Sequence, residues 1–389
     1  MARPQLQTWP TVSLGEVADM CLGKMLDAQK NRGRLQPYLR NPNVRWFGVD
    51  LSDVQLMPFE EHEDARYGLA PGDVVICEGG EAGRAAIWDG RVPNMKFQKA
   101  IHRVRCGPRL YSRYLVHRLM ADYFSGRLAD YYTGATIKHL TGQDLNRYRF
   151  PLPPLADQRR IAAILDKADA LRAQRRAALA KLDTLTQSIF LDMFGDPATN
   201  PKGWPVKRIE DITECLDRLR RPVTESDRKL GNVPYYGANG QQGWIDTALF
   251  DEPLVLVAED GGYFDEPGRG VAYRIDGPAW VNNHAHILRA ISMSVETEFL
   301  HRALRHFNFL PFISGTTRAK LTQGQLNAVR LFVPPLVLQR EFSTRIARVQ
   351  RITMALASSA DQLDDLFTSL QHRAFRGDLV RADAVTLTA

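Results

Sequence analysis

The sequence predicts an α+β fold: two globular α/β domains separated by two long antiparallel coiled-coil helices, duplicated about a pseudo-twofold axis. Three observations carry that expectation. FPLPPLADQRRIAAIL, opening at Phe150, returns at Phe332 as FVPPLVLQREFSTRIA. The repeat keeps one period, because Pro154 and Pro335, Gln158 and Gln339, and Ser188 and Ser369 all stand 181 residues apart. Each copy then leads into an apolar stripe at helical spacing. A repeat of this length is one globular segment plus one helix used twice, rather than a solenoid unit.

The elements follow in order. Trp9-Pro10 and Trp204-Pro205 open the two halves 195 residues apart, so the first half carries 14 extra residues, as 195 minus 181 shows. VVIC at Val74, followed by Glu78 and Gly79-Gly80, reads as a buried strand running into a turn. LVLVA at Leu254, followed by Glu259-Asp260 and Gly261-Gly262, reads the same way in the second half. GATIKHLTGQDL from Gly134 aligns at the common period with GTTRAKLTQGQL from Gly315. The PLPPL stem cannot continue a helix, and GDPATNPKGWP is a turn-rich stop after the first long helix.

Between those signals, every seventh residue reads Ile161, Ala168, Arg175, Leu182 and Ile189, with Ile164, Leu171, Ala178 and Leu185 between them. The second copy gives Phe342, Val349, Leu356, Leu363 and Leu370, with Ile352 and Leu366 at intermediate positions. This predicts a helix-to-helix seam. To pair the stripes over their whole length, the second helix must run back toward the first domain, which makes the pair antiparallel. Roughly 37 helical residues at ~1.5 Å each span about 55 Å, so the helix pair can act as a spacer of that length between the two domains.

Composition bounds the function. A chain of 389 residues with 44% apolar content supports two ordinary cores. Its apolar runs are too short to span a bilayer, and a cytoplasmic protein is expected. Cys21, Cys77, Cys106 and Cys215 are scattered without a CxxC pair and read as reduced, structural thiols. The formal charge of +7 is modest, but its placement repeats. Residues 101–150 hold nine Lys or Arg against three acids, and the related window 282–331 holds six against two. Such windows point to a phosphate backbone as partner.

On these motifs the whole chain resembles the specificity subunit of type I restriction-modification systems. The resemblance rests on Trp9-Pro10 with Leu14-Gly15-Glu16-Val17, Pro151 to Gln158 with Ile161, Ser188 to Pro197, and Pro334 to Gln339 with Phe375 to Asp378. VPYYGANGQQGWID at Val233 and VNNHAHIL at Val281 add to it. It implies target-recognition domains at 1–150 and 199–331, and helical conserved regions at 151–198 and 332–389 that act as the coiled-coil spacer. It further implies a non-catalytic subunit that reads a split double-stranded DNA target and docks two methyltransferase subunits and the restriction/translocase subunits. S-adenosylmethionine, ATP and Mg would then belong to those partners, with no cofactor on this chain. The first half shows no YYGANG equivalent in its sequence.

The chemistry agrees with that implication. There is no [ND]PP[YF] segment to hold a target base and no GxxxxGK[ST] phosphate cradle. His284 and His286 alternate onto one face of a predicted strand, but no third ligand stands at suitable spacing, so no metal is expected. Candidate DNA contacts combine Asn or Gln, which bond adenine, with Lys, Arg and aromatics in loops. In the second domain these are Tyr235, Tyr236, Asn239, Gln241 and Gln242, then Asn282, Asn283 and His284, and then Thr316, Thr317, Arg318 and Lys320. In the first they are Lys96, Gln98 and Lys99, which align near the Asn282 region, and Thr136, Lys138 and His139. Arg159, Arg160, Arg172, Arg175 and Arg176 form a basic face on the first helix that either touches the DNA between half-sites or is solvated beside a methyltransferase. A DNA-modifying enzyme with an unrecognised active site, or a coiled-coil scaffold that binds only proteins, are the competing classes.

Overall fold

The computed structural model describes residues 9–27, 29–264, 270–305, 307–314 and 319–381. The chain divides into two compact units, Met1–Arg175 with Ser359–Ala389, and Arg176–Ser358. Each unit contains part of both long helices, α1 (Leu155–Phe194) and α2 (Leu336–Phe375).

In the first unit, strands β1 (Ala18–Leu22), β2 (Val74–Cys77), β3 (Ala85–Ile87) and β4 (Ile101–Cys106) form an antiparallel sheet in the order β1-β4-β2-β3. In the second, β5 (Thr213–Cys215), β6 (Leu254–Ala258), β7 (Ala272–Ile275) and β8 (Ala285–Ala290) repeat that order as β5-β8-β6-β7. The runs VVIC and LVLVA are the fully buried β2 and β6, as expected for strands covered on both faces. Each sheet packs on a helix, Ser112–Phe124 in the first unit and Thr297–Arg305 in the second.

The long helices are integral to both cores. In the first unit, Ile161, Leu165 and Ala168 of α1 join Phe367 and Ala374 of α2 in one cluster. In the second, Phe190 and Phe194 of α1 pack against Phe342 of α2 and against Phe299, edge to face except for the stacked Phe190–Phe299 pair, with ring centroids 5.0 to 5.7 Å apart. The start of one helix thus meets the end of the other within each unit, which is an antiparallel pairing. The helix ends are capped by the motif residues. Gly195 adopts φ +87°, Lys202 donates to the Asp192 and Met193 carbonyls, and the Trp204 indole N–H donates to the Phe194 carbonyl at 3.0 Å. At the other end, Gly377 (φ +85°) lies against the Trp9 ring.

The invariant spacing of Gln158 and Gln339 has a structural cause. Both side chains are fully buried. Gln158 Nε2 donates to the Pro153 and Arg109 carbonyls, and its Oε1 accepts from the Tyr111 N–H, all at 2.8 Å. Gln339 Nε2 donates to the Pro334 carbonyl at 2.7 Å, and its Oε1 accepts from the Glu296 N–H at 2.9 Å. Each glutamine therefore fastens the first turn of a long helix to the segment that begins its unit's packing helix.

The seam differs in phase from the sequence expectation. Ile161, Ala168, Leu182, Ile189, Phe342, Val349, Leu356, Leu363 and Leu370 are buried or half-buried. The intermediate positions hold only in part, because Ile164 and Ala178 are half-buried but Leu171, Leu185, Ile352 and Leu366 are exposed. The residues one step further, Leu165, Arg172, Leu179 and Thr186, and Ile346, Thr353, Ala360 and Phe367, turn inward instead. Spacings of 3-4 and 4-3 satisfy helical geometry equally, and partner chemistry selects the second. Arg172 is ion-paired with Asp364 and stacks 4.3 Å from the Phe367 ring, so it leaves the basic outer face. Thr186 satisfies its buried hydroxyl on the Leu182 carbonyl.

The first unit has a structural counterpart of the YYGANG strand, although its sequence lacks the motif. Arg34–Leu39 runs parallel to Lys96–Phe97, with Tyr38 opposite Lys96, as Val233–Gly237 runs parallel to Pro278–Val281, with Tyr235 opposite Trp280. Tyr38 and Tyr235 are both core residues. The match hides because the following hairpin is tight in the second unit, pairing Gly237 with Gly240, whereas in the first the partner strand resumes only at Gln55.

Candidate nucleic-acid interface

The turns after β2 and β6 gather the same construction in both units. Asn41 Nδ2 donates to the Gly79 carbonyl at 2.8 Å, and Asn239 Nδ2 donates to the Gly261 carbonyl at 2.9 Å. The Gln98 N–H donates to the Leu39 carbonyl, and the Asn282 N–H donates to that of Tyr236. Beside each turn a loop is closed by a two-bond bridge, Thr133 with His139 in the first unit and Ser314 with Lys320 in the second. Thr141 and Thr322 then cap the next short helices, Gly142–Arg147 and Gln323–Ala328.

The candidate residues divide by burial. Lys99, Thr136, Lys138 and His139 are exposed, as are Asn239, Gln241, Gln242, Asn283 and Lys320. Gln98, Tyr236 and His284 are half-buried. Three candidates are corrected. Lys96 is 2% exposed and salt-bridged to Asp64 at 2.6 Å. Tyr235 is 1% exposed, and its hydroxyl is engaged by the Val223 backbone. Asn282 is 4% exposed, donates to Gln242 Oε1 and accepts from the His284 N–H. These side chains shape the surface from beneath it. Thr316, Thr317 and Arg318 lie outside the described residues.

The basic windows are also less free than their counts suggest. Arg103, Arg105, Arg113, Arg118 and Arg147 pair with Asp19, Asp73, Asp166, Asp122 and Asp144. In the second unit Arg289 pairs with Glu214 and Glu252, and Arg302 with Glu298. Lys138, on the exposed 133–139 loop, instead lies 5.8 Å from the Tyr132 ring centre.

A charged network sits under the second loop. His286 Nδ1 is 2.5 Å from Asp217, Arg220 reaches Asp217 at 3.3 Å and Glu259 at 2.5 Å, and Lys320 reaches Glu259 at 3.1 Å. Burial alone would raise the Glu259 pKa, but Arg220 and Lys320 outweigh it and lower it below the usual carboxylate range. Asp217 is likewise lowered against its burial by His286, the Ile287 N–H and Arg220. The sequence reading found no third ligand near the two histidines. Here Asp217 and Glu259 do come together with His286, from distant parts of the chain. The group already holds two cationic side chains, and His286 offers both nitrogens to oxygen acceptors, so it is an ion-pair network in character. His284 turns to Asp260 instead, at 2.7 Å. Sequence reasoning passed over Asp217, Arg220 and His102, of which only His102 left a signal, its 184-residue distance from His286.

The fold defines a duplicated α+β protein in which one sheet-and-loop construction is built twice and fastened to two long helices. The chain belongs to the family of the type I restriction modification DNA specificity domain, whose profile matches residues 7–181 and again 201–361. Members of this family are the non-catalytic specificity subunits of type I restriction-modification systems. A putative type I restriction enzyme specificity subunit of Haemophilus influenzae is 35% identical over 135 residues, which cover 35% of this chain and 34% of that protein. The MjaIX specificity subunit of Methanocaldococcus jannaschii is 22% identical over 270 residues, 60% of this chain and 61% of its own. The matches therefore span about a third and three fifths of these two relatives' lengths. Among solved structures, a type I restriction-modification S subunit from M. genitalium has a TM-score of 0.63 at 15% identity, covering 96% of this chain and 98% of that one. A chain from a structural study of complex assembly and conformational transition of the type I system has a TM-score of 0.59 at 19% identity, with the same coverages. These two likenesses concern the fold. No helix among the described residues is long and apolar enough to cross a membrane.

Proposed function

We infer that this chain reads a bipartite double-stranded DNA target, one half-site per unit, and directs methyltransferase subunits to it. The observation that carries this reading is the twice-built loop construction. Exposed Lys138 and His139 in the first unit and Lys320 in the second occupy equivalent places beside the turns after β2 and β6. Lys and His there contact phosphate, while Gln241, Gln242 and Asn283 offer the amide groups that bond adenine edges. The two loops differ in sequence, which suits a target whose halves differ.

Docking has its own support. Leu171, Leu185, Ile352, Met354 and Leu366 are exposed apolar side chains on the long helices, the kind of surface a stable partner covers. The methyltransferase subunits bind there, and restriction/translocase subunits join that assembly. S-adenosylmethionine, ATP and Mg are held by those partners, and helix length sets the gap between half-sites.

The test is genome-wide mapping of methylated bases in cells expressing this chain with its neighbouring methyltransferase gene, against cells lacking it. One split motif with a fixed gap is the expected gain. A soluble complex that adds no motif sinks the reading.

A further inference from the structure

His102 and His286 occupy one place in the repeated architecture. They stand on β4 and β8, 184 residues apart, and each is 1% exposed. Each directs Nε2 at the carbonyl of the leucine that ends the adjacent loop, Leu140 at 2.8 Å and Leu321 at 2.7 Å. Because a carbonyl only accepts, Nε2 carries the proton and donates. The same leucines donate their N–H groups to the Glu78 and Glu259 carbonyls, at 2.7 and 2.8 Å. One residue earlier lie the bridges of His139 and Lys320, and one residue later the capping threonines. The imidazole is thus the side-chain link between the sheet interior and the loop exit. Burial lowers the His102 pKa below the ordinary histidine value. His286 has the added Asp217 partner, whereas the residue at the matching 195-residue offset in the first unit is Leu22.

We propose that His102 and His286 are the positioning residues of the two DNA-contacting loops, each setting recognition at one half-site alone. This rests on the reading of DNA by those loops. Neither imidazole reaches DNA, since both are enclosed. Their effect passes through the backbone of Leu140 and Leu321, which fixes where the exposed residues before them sit.

The experiment uses the full chain, alone and in complex with its methyltransferase. His286→Phe keeps a buried ring but removes the donor, and His286→Gln keeps an N–H at similar reach. The matching pair is His102→Phe and His102→Gln. In methylation mapping, His286→Phe should lower discrimination at one half-site at least about tenfold, the scale of the lost bond to the Leu321 carbonyl alone, since the bond to Asp217 goes with it, with the other half-site and the gap unchanged. His102→Phe should do the same at the opposite half-site, and both Gln variants should restore it. Hydrogen exchange on the free subunit provides a second reading. The amides of Lys320 and Leu321 should exchange about tenfold faster in His286→Phe, with those of His139 and Leu140 unchanged, and the reverse in His102→Phe. If Phe is not tolerated, the smaller Leu at each position carries the same comparison. Loss of both half-sites together, or loop amides that exchange as in the wild type, overturns the proposal. A wild-type complex that reads no DNA refutes the functional reading, and the exchange measurement still decides the anchoring.

Discussion

Replacing Gln158 by Leu keeps the volume roughly constant and deletes three hydrogen bonds, to the Pro153 and Arg109 carbonyls and from the Tyr111 N–H. Replacing Gln339 by Leu deletes two, to the Pro334 carbonyl and from the Glu296 N–H. At a net ~1 kcal/mol each, the first substitution costs about 3 kcal/mol and the second about 2 kcal/mol. The order is the informative part. Hydrogen exchange under increasing urea resolves the two units separately, because helix Ser112–Phe124 reports on one and Thr297–Arg305 on the other. Gln158→Leu should lower the opening free energy of the first helix by more than Gln339→Leu lowers that of the second, each leaving the other unit unchanged. If Gln339→Leu proves the costlier, or both fall below ~0.5 kcal/mol, the glutamines are not the fasteners described here.

Three further outcomes are expected. Burial opposes ionisation of Glu298, yet His301, Arg302 and Arg274 outweigh it and hold its pKa at about 2, against 4.5 for a free glutamate. A depressed carboxylate contributes stability that is complete above pH 4.5 and lost as pH falls toward 2, about 3 kcal/mol in all; the stability gap between wild type and Glu298→Gln should close over that range, and a constant gap would refute the pairing. Arg318→Ala with Lys320→Ala should weaken DNA binding at moderate salt and flatten the salt dependence by about two phosphate contacts, whereas unchanged affinity removes this segment from the interface. Deleting about one turn from each long helix in matching register should shorten the gap in the methylated motif while keeping both half-sites, and an unchanged gap rules out the helices as its determinant.

The helices and their antiparallel pairing were legible because a 181-residue period imposed on an apolar stripe leaves few alternatives. The phase of the seam was not, since Leu171 and Arg172 compete for one inward position and the winner depends on Asp364 and Phe367, nearly two hundred residues away. Burial at the interface failed for the same kind of reason. Nothing near Lys96 in sequence announces Asp64 as its partner, and Asn282 looks like a surface amide until Gln242 and the His284 N–H occupy it. Which polar residues face solvent is settled by tertiary partners.

The duplication also separates what the two halves must share from what they are free to change. Three of the repeated contacts end on main-chain groups: Gln158 and Gln339 on proline carbonyls, Asn41 and Asn239 on glycine carbonyls, His102 and His286 on leucine carbonyls. Such acceptors exist wherever the backbone path is kept, whatever side chains surround it. Contacts between two side chains are kept only in part: Thr141 with Asp144 returns as Thr322 with Gln325, but the network under the second loop does not return. Asp217 and Arg220 bind the second loop's network, while Leu22 and Met25 stand at the matching offset in the first unit, exposed. A frame held by side-chain-to-backbone bonds tolerates replacement of the residues mounted on it. Loop sequences can therefore diverge between the halves, and two different half-sites can be read from one inherited construction.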